Sequence, residues 1–528
     1  MLEHRQYNRS GLFDESMSSF FRNVDTRSHP PLDIALSNAS GQPNPIASLK
    51  ARAVLVDMEE GVLDSLMRDS RGLGELFDER QTVASVSGSG NNWAHGHCHY
   101  GKLYGNSILE AVRRQTEHCD SLQAFLFMHS LGGGTGSGLG TYILGALEDA
   151  YPDIYRFVAG VFPSDQDDVV TSPYNSMLSL SQLIQHADAV MPIHNQALID
   201  ICEKINKPRG AGSAASAAGA SSSSSSSSKA EKSSLLDLSS GDPAAARRAA
   251  KHQKRAAFDD MNTLAAQLLT SLTCSMRFEG PLNVDLNEIT MNLVPFPRMH
   301  FLVSSLAPLY TANKDTGQAL KFGSATDSRV PSSAASASSI SAASSLLAAS
   351  KSIDSMFSVA FHPDSHLVKI NPRNTGLYLA CGLFGRGADL TVSDMNRNIL
   401  RLKSSGVVNL MSWNEDGFKI GLCSTPPVGL KHSLLSLSNS SAIAPLFLNM
   451  RDRCLKMYSR KANFHHYLEY MEQDTMDRAF QEVEGVVALY ADLERRENAS
   501  RFREAQEGER EDAGGEGTQR QQPRMRPM

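Results

Sequence analysis

A glycine-rich run between two apolar segments constrains the fold more than any other feature of this chain. Residues Leu131–Gly140 read LGGGTGSGLG. The apolar segment Leu122–Met128 before the run predicts a strand, and apolar residues at helical spacing after it predict a helix that ends before Pro152. Glycines let backbone N–H groups converge on an anion at a helix N-terminus, so this order predicts a phosphate-binding loop.

Two better-known phosphate motifs do not fit the run. No lysine follows it, as a Walker A motif requires, and its spacing is not the usual G-x-G-x-x-G of dinucleotide-binding folds. A flexible Gly/Ser linker is the alternative interpretation, but linkers are not held between two periodic apolar segments. The residues that we expect to contact nucleotide phosphates are Gly132, Gly133, Gly134, Thr135, Gly136 and Ser137.

The size and charge of the chain argue against several classes of protein. Its 528 residues predict two or three domains, and a net charge of −6 without a dense basic cluster argues against a nucleic-acid partner. Seven scattered cysteines, never in a Cys-x-x-Cys pair, predict reduced thiols rather than a structural zinc site. A polar start and the lack of a long apolar run predict a cytosolic protein without a membrane span.

Composition divides the chain into a series of parts. The first part alternates apolar strands with amphipathic helices, which is typical of a parallel α/β sheet. Two Ser/Ala-rich inserts are expected to be exposed and mobile, because they bury too little apolar surface to offset the entropy of ordering. The predicted boundaries are 1–206 for the α/β domain, 207–257 and 314–351 for the inserts, 258–437 for a region that begins with a central helix, 438–500 for two C-terminal helices, and 501–528 for a disordered tail.

Two acidic residues follow a predicted strand upstream of the glycine run. Asp57 and Glu59 come directly after the strand Ala53–Val56, at the end of the sheet where open α/β sheets bind ligands. Carboxylate oxygens there suit a hydrated Mg²⁺, bound through water. The alternative interpretation is that Asp57 and Glu59 are two surface acids without a ligand. We favour the Mg²⁺ site because the chain also carries the phosphate-binding glycine run.

A second glycine-rich stretch, Ser87–His97, carries side-chain amides that could bind phosphate or ribose. It is followed by Cys98 and His99, and the histidines at 95 and 97 lie inside it. Their spacing matches no common closed zinc site, so we do not predict a metal there.

Seven stretches, taken together, resemble the tubulin superfamily in order and spacing. They are LGGGTGSGLG, SGSGNNWAHGH, AVLVDMEEGVLDS, SPYNSMLSL, NQALIDIC, RFEGPLNVDLNEI and NLVPFPRMHFLVSSLAPLY. The resemblance covers residues 2–493 apart from the inserts, and SSFFRNVDTR, SGSGNNWA, EHCDSLQ, YRFV and DDVVTSPYNS look most like the epsilon-tubulin branch. It implies a Rossmann-like parallel-sheet GTPase domain, a central helix, an α/β intermediate domain and a C-terminal helical pair, with GTP or GDP and Mg²⁺ as cofactors.

The same resemblance implies a function. It implies a GTP-binding cytoskeletal subunit in centriole or basal-body microtubules, located in the cytoplasm at the centrosome, centriole or basal body. Implied partners are centriolar proteins and other tubulins, with delta-tubulin or alpha/beta-tubulin as candidates for longitudinal contacts. The alternative is a non-polymerising adaptor that uses the tubulin fold as a docking surface, with weak or no GTP turnover.

Several site residues follow from the resemblance by position. Asn92 would lie near the phosphates, and Asp168 would lie on the ribose side. Asn195 and Asn262 would hydrogen-bond guanine, while Phe258 would replace the tyrosine that stacks on the base and keep its stacking surface. A glutamate precedes Pro-Tyr-Asn in many relatives, whereas this chain has a serine at 172, which predicts weaker ribose contacts.

The loop Gly280–Glu288 resembles the one that reaches the nucleotide of the next subunit in a filament. Glu288 would orient or activate the attacking water there, so that it acts in trans between subunits. An acid at the position of Glu288 resembles alpha-tubulin, whereas beta-tubulin has a basic residue there. Asn283, Asp285 and Glu288 could also cap a helix N-terminus, and the two roles are compatible.

Two departures from the tubulin pattern predict altered behaviour. Tubulins open with a strand and a Gly-Gln-Cys-Gly-Asn-Gln loop, whereas Leu2–His4 joins the pattern partway through the first helix. We expect a truncated start, and a protein that begins at Met1 should have poor GTP affinity. The second insert falls at the lateral-contact loop, where ordering costs entropy, so we do not expect incorporation into an ordinary microtubule wall.

Overall fold

The computed structural model describes most of the chain outside the two predicted inserts. The described residues are 11–28, 31–68, 72–164, 167, 169–206, 243–309, 353–370, 372 and 376–515, with the backbone alone at 243–257 and 504–515. Asp168, residues 207–242, the second predicted insert and residues 516–528 lie outside them.

From Leu55 onward the N-terminal domain alternates strands and helices, as predicted, whereas the strands between Phe21 and Asp57 follow one another with no helix between them in the described residues. Its elements are α1 (Glu15–Ser18), β1 (Phe21–Asp25), β2 (Leu32–Asp33), β3 (Leu49–Ala51), β4 (Leu55–Asp57), α2 (Glu60–Met67), β5 (Thr82–Ala84), α3 (Gly101–Thr116), β6 (Ala124–Ser130), α4 (Gly140–Ala150), β7 (Tyr155–Phe162), α5 (Ser172–His186), β8 (Ala189–His194) and α6 (Asn195–Asn206). Strands β6, β7 and β8 form a parallel sheet, β4 and β5 form a parallel pair, and β1 pairs antiparallel with β2 and β3.

The two groups of parallel strands rest on the same pair of helices. Val56 of β4 and Phe127 of β6 both pack against the apolar cluster that contains Ile108 of α3 and Ile143 of α4. Among the described residues no strand pairing joins β4 to β6. Strand β6 is correspondingly less buried than β7 and β8, and Met128 on it is 62% exposed.

The central helix is longer than predicted. Helix α7 spans Pro243–Leu272, so it begins fifteen residues before the predicted start at 258. The preceding Ala/Arg/Lys segment looked like part of an insert, but these residue types are strong helix formers, and proline is tolerated at the first helical position. Leu264 and Leu268 of α7 are fully buried in a core that α6 shares with the second sheet.

The second domain is built on a four-stranded mixed sheet. Its elements are α8 (Cys274–Arg277), α9 (Leu286–Leu293), β9 (Leu302–Ala307), α10 (Ile353–Ala360), β10 (Tyr378–Arg386), α11 (Val392–Ser404), β11 (Phe418–Cys423) and β12 (Ser433–Ser440). The strand order is β11-β10-β12-β9, with β10 and β11 parallel and the other pairs antiparallel.

The first α-helix after β12 begins at Ala444, six residues after the predicted boundary at 438, because β12 extends to Ser440. Ser438 and Ser440 belong to β12 and are buried. Their hydroxyls donate hydrogen bonds to the carbonyl oxygens of Val303 (3.5 Å) and Leu377 (3.0 Å), respectively. Backbone carbonyl oxygens in the sheet thus satisfy the hydroxyls of these buried serines.

Three helices follow β12: α12 (Ala444–Tyr458), α13 (His465–Leu468) and α14 (Gln473–Gly515). Helix α14 packs on α5 through a buried stripe at helical spacing, formed by Met476, Ala479, Val483, Val486 and Tyr490. It continues fifteen residues past the predicted boundary at 500. Just before that boundary, the carboxylate of the buried Glu497 accepts hydrogen bonds from the Ser412 N–H (2.8 Å) and from Arg501 (2.9 Å).

The architecture confirms the predicted fold class of a parallel-sheet α/β domain, a central helix, a second α/β domain and C-terminal helices. Within the described part of the chain, no helix has the length and apolar character that a bilayer span requires.

Candidate functional site

The two glycine-rich loops lie against each other and lead into adjacent helices. A π-helical turn at Thr135–Leu139 leads into α4, and another at His95–Tyr100 leads into α3. The turns approach backbone to backbone at Gly138, where a Cβ atom would overlap the carbonyl oxygen of Trp93 and lie 2.9 Å from the His97 nitrogen. Glycine is therefore required at this position by close approach.

The tip of the glycine loop packs against the second loop. The hydroxyls of Ser89 and Thr135 are 3.0 Å apart, and a Cβ atom at Gly134 would lie 2.7 Å from the backbone nitrogen of Asn92. Gly133 is more open, since a Cβ atom there would meet only Asn91 Oδ1 at 3.7 Å. The two loops thus form one surface lined by backbone atoms, and this surface has open space beside Gly133.

A buried asparagine on α5 joins the loops. The Nδ2 group of Asn175 donates hydrogen bonds to the carbonyl oxygens of Gly132 (2.8 Å) and Asn91 (2.9 Å). Its Oδ1 atom accepts from the Trp93 N–H (2.9 Å) and from the Tyr467 hydroxyl of α13 (2.6 Å). Asn175 therefore fixes both glycine-rich loops to each other and to the C-terminal helices.

Two neutral histidines support the loops. Burial lowers the pKa of His129 and that of His97 to about 4, so both rings are uncharged at pH 7. The Nδ1 atom of His129 is 2.7 Å from the Gly136 carbonyl oxygen, which can only accept, so this nitrogen carries the proton. His97 stacks on Trp93 with ring centroids 4.3 Å apart. In the described residues no group of three or more His, Cys, Asp or Glu could hold a metal.

The loop surface fits an anionic ligand. Ser172 is 2% exposed, and its hydroxyl makes no hydrogen bond within the described residues. This hydroxyl lies 3.1 Å from the point where a Cβ atom of Gly132 would stand, so it is directed at the glycine loop. A buried hydroxyl beside glycine N–H groups is a donor set suited to phosphate oxygens.

The predicted magnesium residues lie at the carboxyl end of β4. Asp57 is the last residue of β4, and its Oδ1 atom accepts a hydrogen bond from the Glu59 N–H (3.3 Å). Glu59 is exposed and occupies the N-cap position of α2. Two carboxylates suit a Mg²⁺ whose other ligands are water and phosphate, so the magnesium assignment stays a prediction.

The residues assigned to the base lie on α6 and α7, which pack together. Asn195 begins α6 directly after β8. Phe258 and Asn262 are one turn apart on an exposed face of α7, and Phe258 is 56% exposed. An aromatic ring and an amide on one open helix face suit stacking and hydrogen bonding to a base.

Asn92 has partners within the protein. Its Oδ1 atom accepts from the Ala94 N–H (2.9 Å), and its Nδ2 group donates to the His466 carbonyl oxygen (2.9 Å). The side chain therefore links the second glycine-rich loop to α13, and a direct phosphate contact by Asn92 stays a prediction.

The predicted trans-acting acid lies in the second domain. Glu288 is in the first turn of α9, and Asp285 takes the N-cap position without a side-chain capping hydrogen bond. The carboxylate of Glu288 is 47% exposed and pairs with the Lys419 ammonium at 2.6 Å. It stands on a different domain from the glycine loop, and its action in trans stays a prediction.

Sequence reasoning missed the residues that organise the site: Ser89, Asn175, Tyr467 and Lys419. Asn175 lies inside SPYNSMLSL, which served only to identify the resemblance, and its contacts span up to 292 positions of sequence. No local pattern signals such contacts.

Comparison with known proteins places the chain among tubulins and their relatives. Residues 4–203 match the Tubulin/FtsZ family, GTPase domain, and residues 333–452 match the Tubulin C-terminal domain. The tubulin epsilon chain of Homo sapiens is 44% identical over 498 residues, 94% of this chain and 92% of that protein. The tubulin epsilon chain of Mus musculus is 44% identical over 494 residues (93% and 91%), and the tubulin alpha chain of Eremothecium gossypii is 31% identical over 452 residues (84% and 83%).

Gly138→Ala should destabilise the protein because the added methyl group overlaps a backbone carbonyl that cannot rotate away. We expect the free energy of unfolding, measured by urea denaturation, to fall by about 1–3 kcal/mol. Gly133→Ala is the matched control, and its unfolding free energy should stay within about 0.5 kcal/mol of the parent. Equal denaturation midpoints for the two variants would show that the loops do not need this close packing.

Asn175→Ala should remove four hydrogen bonds and leave the Gly132 carbonyl oxygen and the Trp93 N–H without a partner, while Asn91 and Tyr467 keep contacts with Thr171. We expect the free energy of unfolding to fall by about 2–4 kcal/mol, since each buried unpaired group costs about 1–3 kcal/mol and some will find water. Tyr467→Phe removes one of the four hydrogen bonds and should cost about 1 kcal/mol. If Tyr467→Phe destabilises the protein as much as Asn175→Ala, the Asn175 amide is not the group that holds the two loops together.

Proposed function

The chain belongs to the tubulin family, and from that premise we propose that it is a GTP-binding cytoskeletal subunit that acts in centriole or basal-body microtubule assembly or stability. The observation that carries GTP binding is the paired glycine-rich surface with the unpartnered Ser172 hydroxyl directed at it. The centriolar role is supported by the 44% identity to tubulin epsilon chains over more than 90% of the chain.

Asp57, the glycine loop and Asn195 lie at the carboxyl ends of parallel strands, whereas Phe258 and Asn262 lie on α7. Gly132, Gly133, Gly134, Thr135, Gly136 and Ser137 bind the phosphates, with Asn92 nearby, and Asp57 and Glu59 hold Mg²⁺ through water. The base lies between Asn195, Asn262 and the ring of Phe258, and Asp168 serves the ribose. Bound GTP supplies a γ-phosphoryl group for transfer to water.

The proposed partners are other tubulins in longitudinal contact, delta-tubulin or alpha/beta-tubulin among them, together with centriolar proteins. Glu288 stands on the second domain with about half of its side chain exposed, so it is accessible to a neighbouring subunit. A carboxylate in that position takes a proton from the water that attacks the neighbour's GTP. This chain then completes the hydrolytic site of the next subunit.

Glu288→Ala should slow GTP hydrolysis in a mixture of this chain with alpha/beta-tubulin, because the proton acceptor for the attacking water is lost. We expect the single-turnover rate, measured by release of labelled phosphate, to fall about 100-fold or more. Binding of labelled GTP to this chain alone should be unchanged, since Glu288 lies outside the glycine loops.

The control is Asp389→Asn, which removes an exposed acid from the same domain, and its hydrolysis rate should match the parent. Equal rates for Glu288→Ala and the parent would contradict the trans role. If partner binding is then also independent of the nucleotide, the protein is a non-polymerising adaptor.

A further inference from the structure

The acid proposed to act on the neighbouring subunit is held by a lysine of its own chain. The Lys419 Nζ atom lies 2.6 Å from Glu288 Oε2, within hydrogen-bond distance. The Lys419 side chain is 27% exposed and the Glu288 side chain 47% exposed, so the pair faces solvent. The pairing joins β11 to the first turn of α9.

Backbone packing brings these two elements together. Leu282, in the loop before α9, forms an antiparallel bridge with Leu422 of β11, and the Leu422 N–H donates to the Leu282 carbonyl oxygen at 2.9 Å. Alternate residues of a strand share one face, so Gly421 lies on the same face as Lys419. A Cβ atom at Gly421 would be 3.1 Å from Val284 Cγ2, so the glycine lets the loop approach the strand.

The other charges on this edge have different partners. The Lys403 ammonium binds Asp416 at 2.5 Å and lies 5.8 Å from the centre of the Phe418 ring. Glu288 also lies in the first turn of α9, where the helix dipole favours an acid. Lys419 is therefore the cation that contacts this carboxylate in the described structure.

A half-exposed ion pair contributes little to folding, about 0–1 kcal/mol. Its main physical effect is on geometry, because the ammonium holds Oε2 and so restricts the conformations that the Glu288 side chain can adopt. The second oxygen, Oε1, stays available to a water molecule. General-base catalysis depends on such a fixed acceptor.

We propose that Lys419 is a positioning residue that orients Glu288 toward the attacking water of a neighbouring subunit's GTP. This inference rests on the proposed function of Glu288. In the step, the water oxygen bonds to the γ-phosphorus and the water proton goes to Oε1 of Glu288. The bond from the γ-phosphorus to the bridging oxygen breaks, and its electron pair stays on GDP. The Lys419 ammonium stays bonded to Oε2 throughout the step and holds the carboxylate in place.

The test is a double-mutant cycle on Lys419 and Glu288 in the mixture with alpha/beta-tubulin. Lys419→Met keeps the length of the side chain and removes the charge, and we expect kcat for GTP hydrolysis to fall about 10- to 100-fold. The subunit concentration that gives half-maximal rate should change less than about twofold. Lys419→Arg keeps a cation and should recover most of the rate. In a Glu288→Ala background, Lys419→Met should cause no further loss.

The arms of the cycle separate the possible failures. If Glu288→Ala slows hydrolysis and Lys419→Met does not, the positioning role is overturned and the proposed function stands. If Glu288→Ala has no effect, both are overturned. A change in the half-maximal concentration alone, or an equal loss in both backgrounds, would show that Lys419 is an interface contact and not a positioning residue. Urea midpoints of all variants should agree, which excludes unfolding as the cause.

Discussion

The side-chain amide of Asn175 is the interaction on which the rest of the candidate site depends. The side chain is fully buried, and both of its N–H groups and its oxygen are used, in four hydrogen bonds to Gly132, Asn91, Trp93 and Tyr467. Leaving buried groups like these unpaired costs free energy for each one. The two glycine-rich loops therefore cannot separate unless water enters the core or α5 moves with them.

The same amide connects the C-terminal helices to the loops. Tyr467 lies on α13, where its ring packs against Tyr174 with centroids 5.3 Å apart, and the neighbouring His466 carbonyl accepts from Asn92. A displacement of α13 would break one hydrogen bond to the second glycine-rich loop and one to Asn175, the residue that joins the two loops. Because α14 packs along α5, which carries Asn175, the C-terminal helices are mechanically linked to the surface proposed for phosphate.

The sequence predicts the elements that local chemistry determines and misses those that distant contacts determine. Glycines between a strand and a helix predict the loop at 132–138. The second glycine-rich loop can pack against it because Gly138 has no side chain. The start of α7 at Pro243 and the end of β12 at Ser440 differ from the sequence-based boundaries at 258 and 438, because Ala/Arg/Lys and Ser-rich segments have more than one stable conformation. Asn175 and Lys419 could not be predicted, since their partners come from separate parts of the chain.

The serine at 172 takes on a different meaning once its surroundings are known. The sequence alone predicts weaker contacts with the ribose, since many relatives have a glutamate at this position. The structure places Asp167 in the same corner, with its Oδ2 atom 3.0 Å from the point where a Cβ atom of Gly132 would stand, compared with 3.1 Å for the Ser172 hydroxyl. A carboxylate is thus still present beside the loop, and the serine adds a hydroxyl donor where a second acid would repel phosphate. Serine at 172 therefore leaves Asp167, which is exposed, as the carboxylate beside this part of the loop.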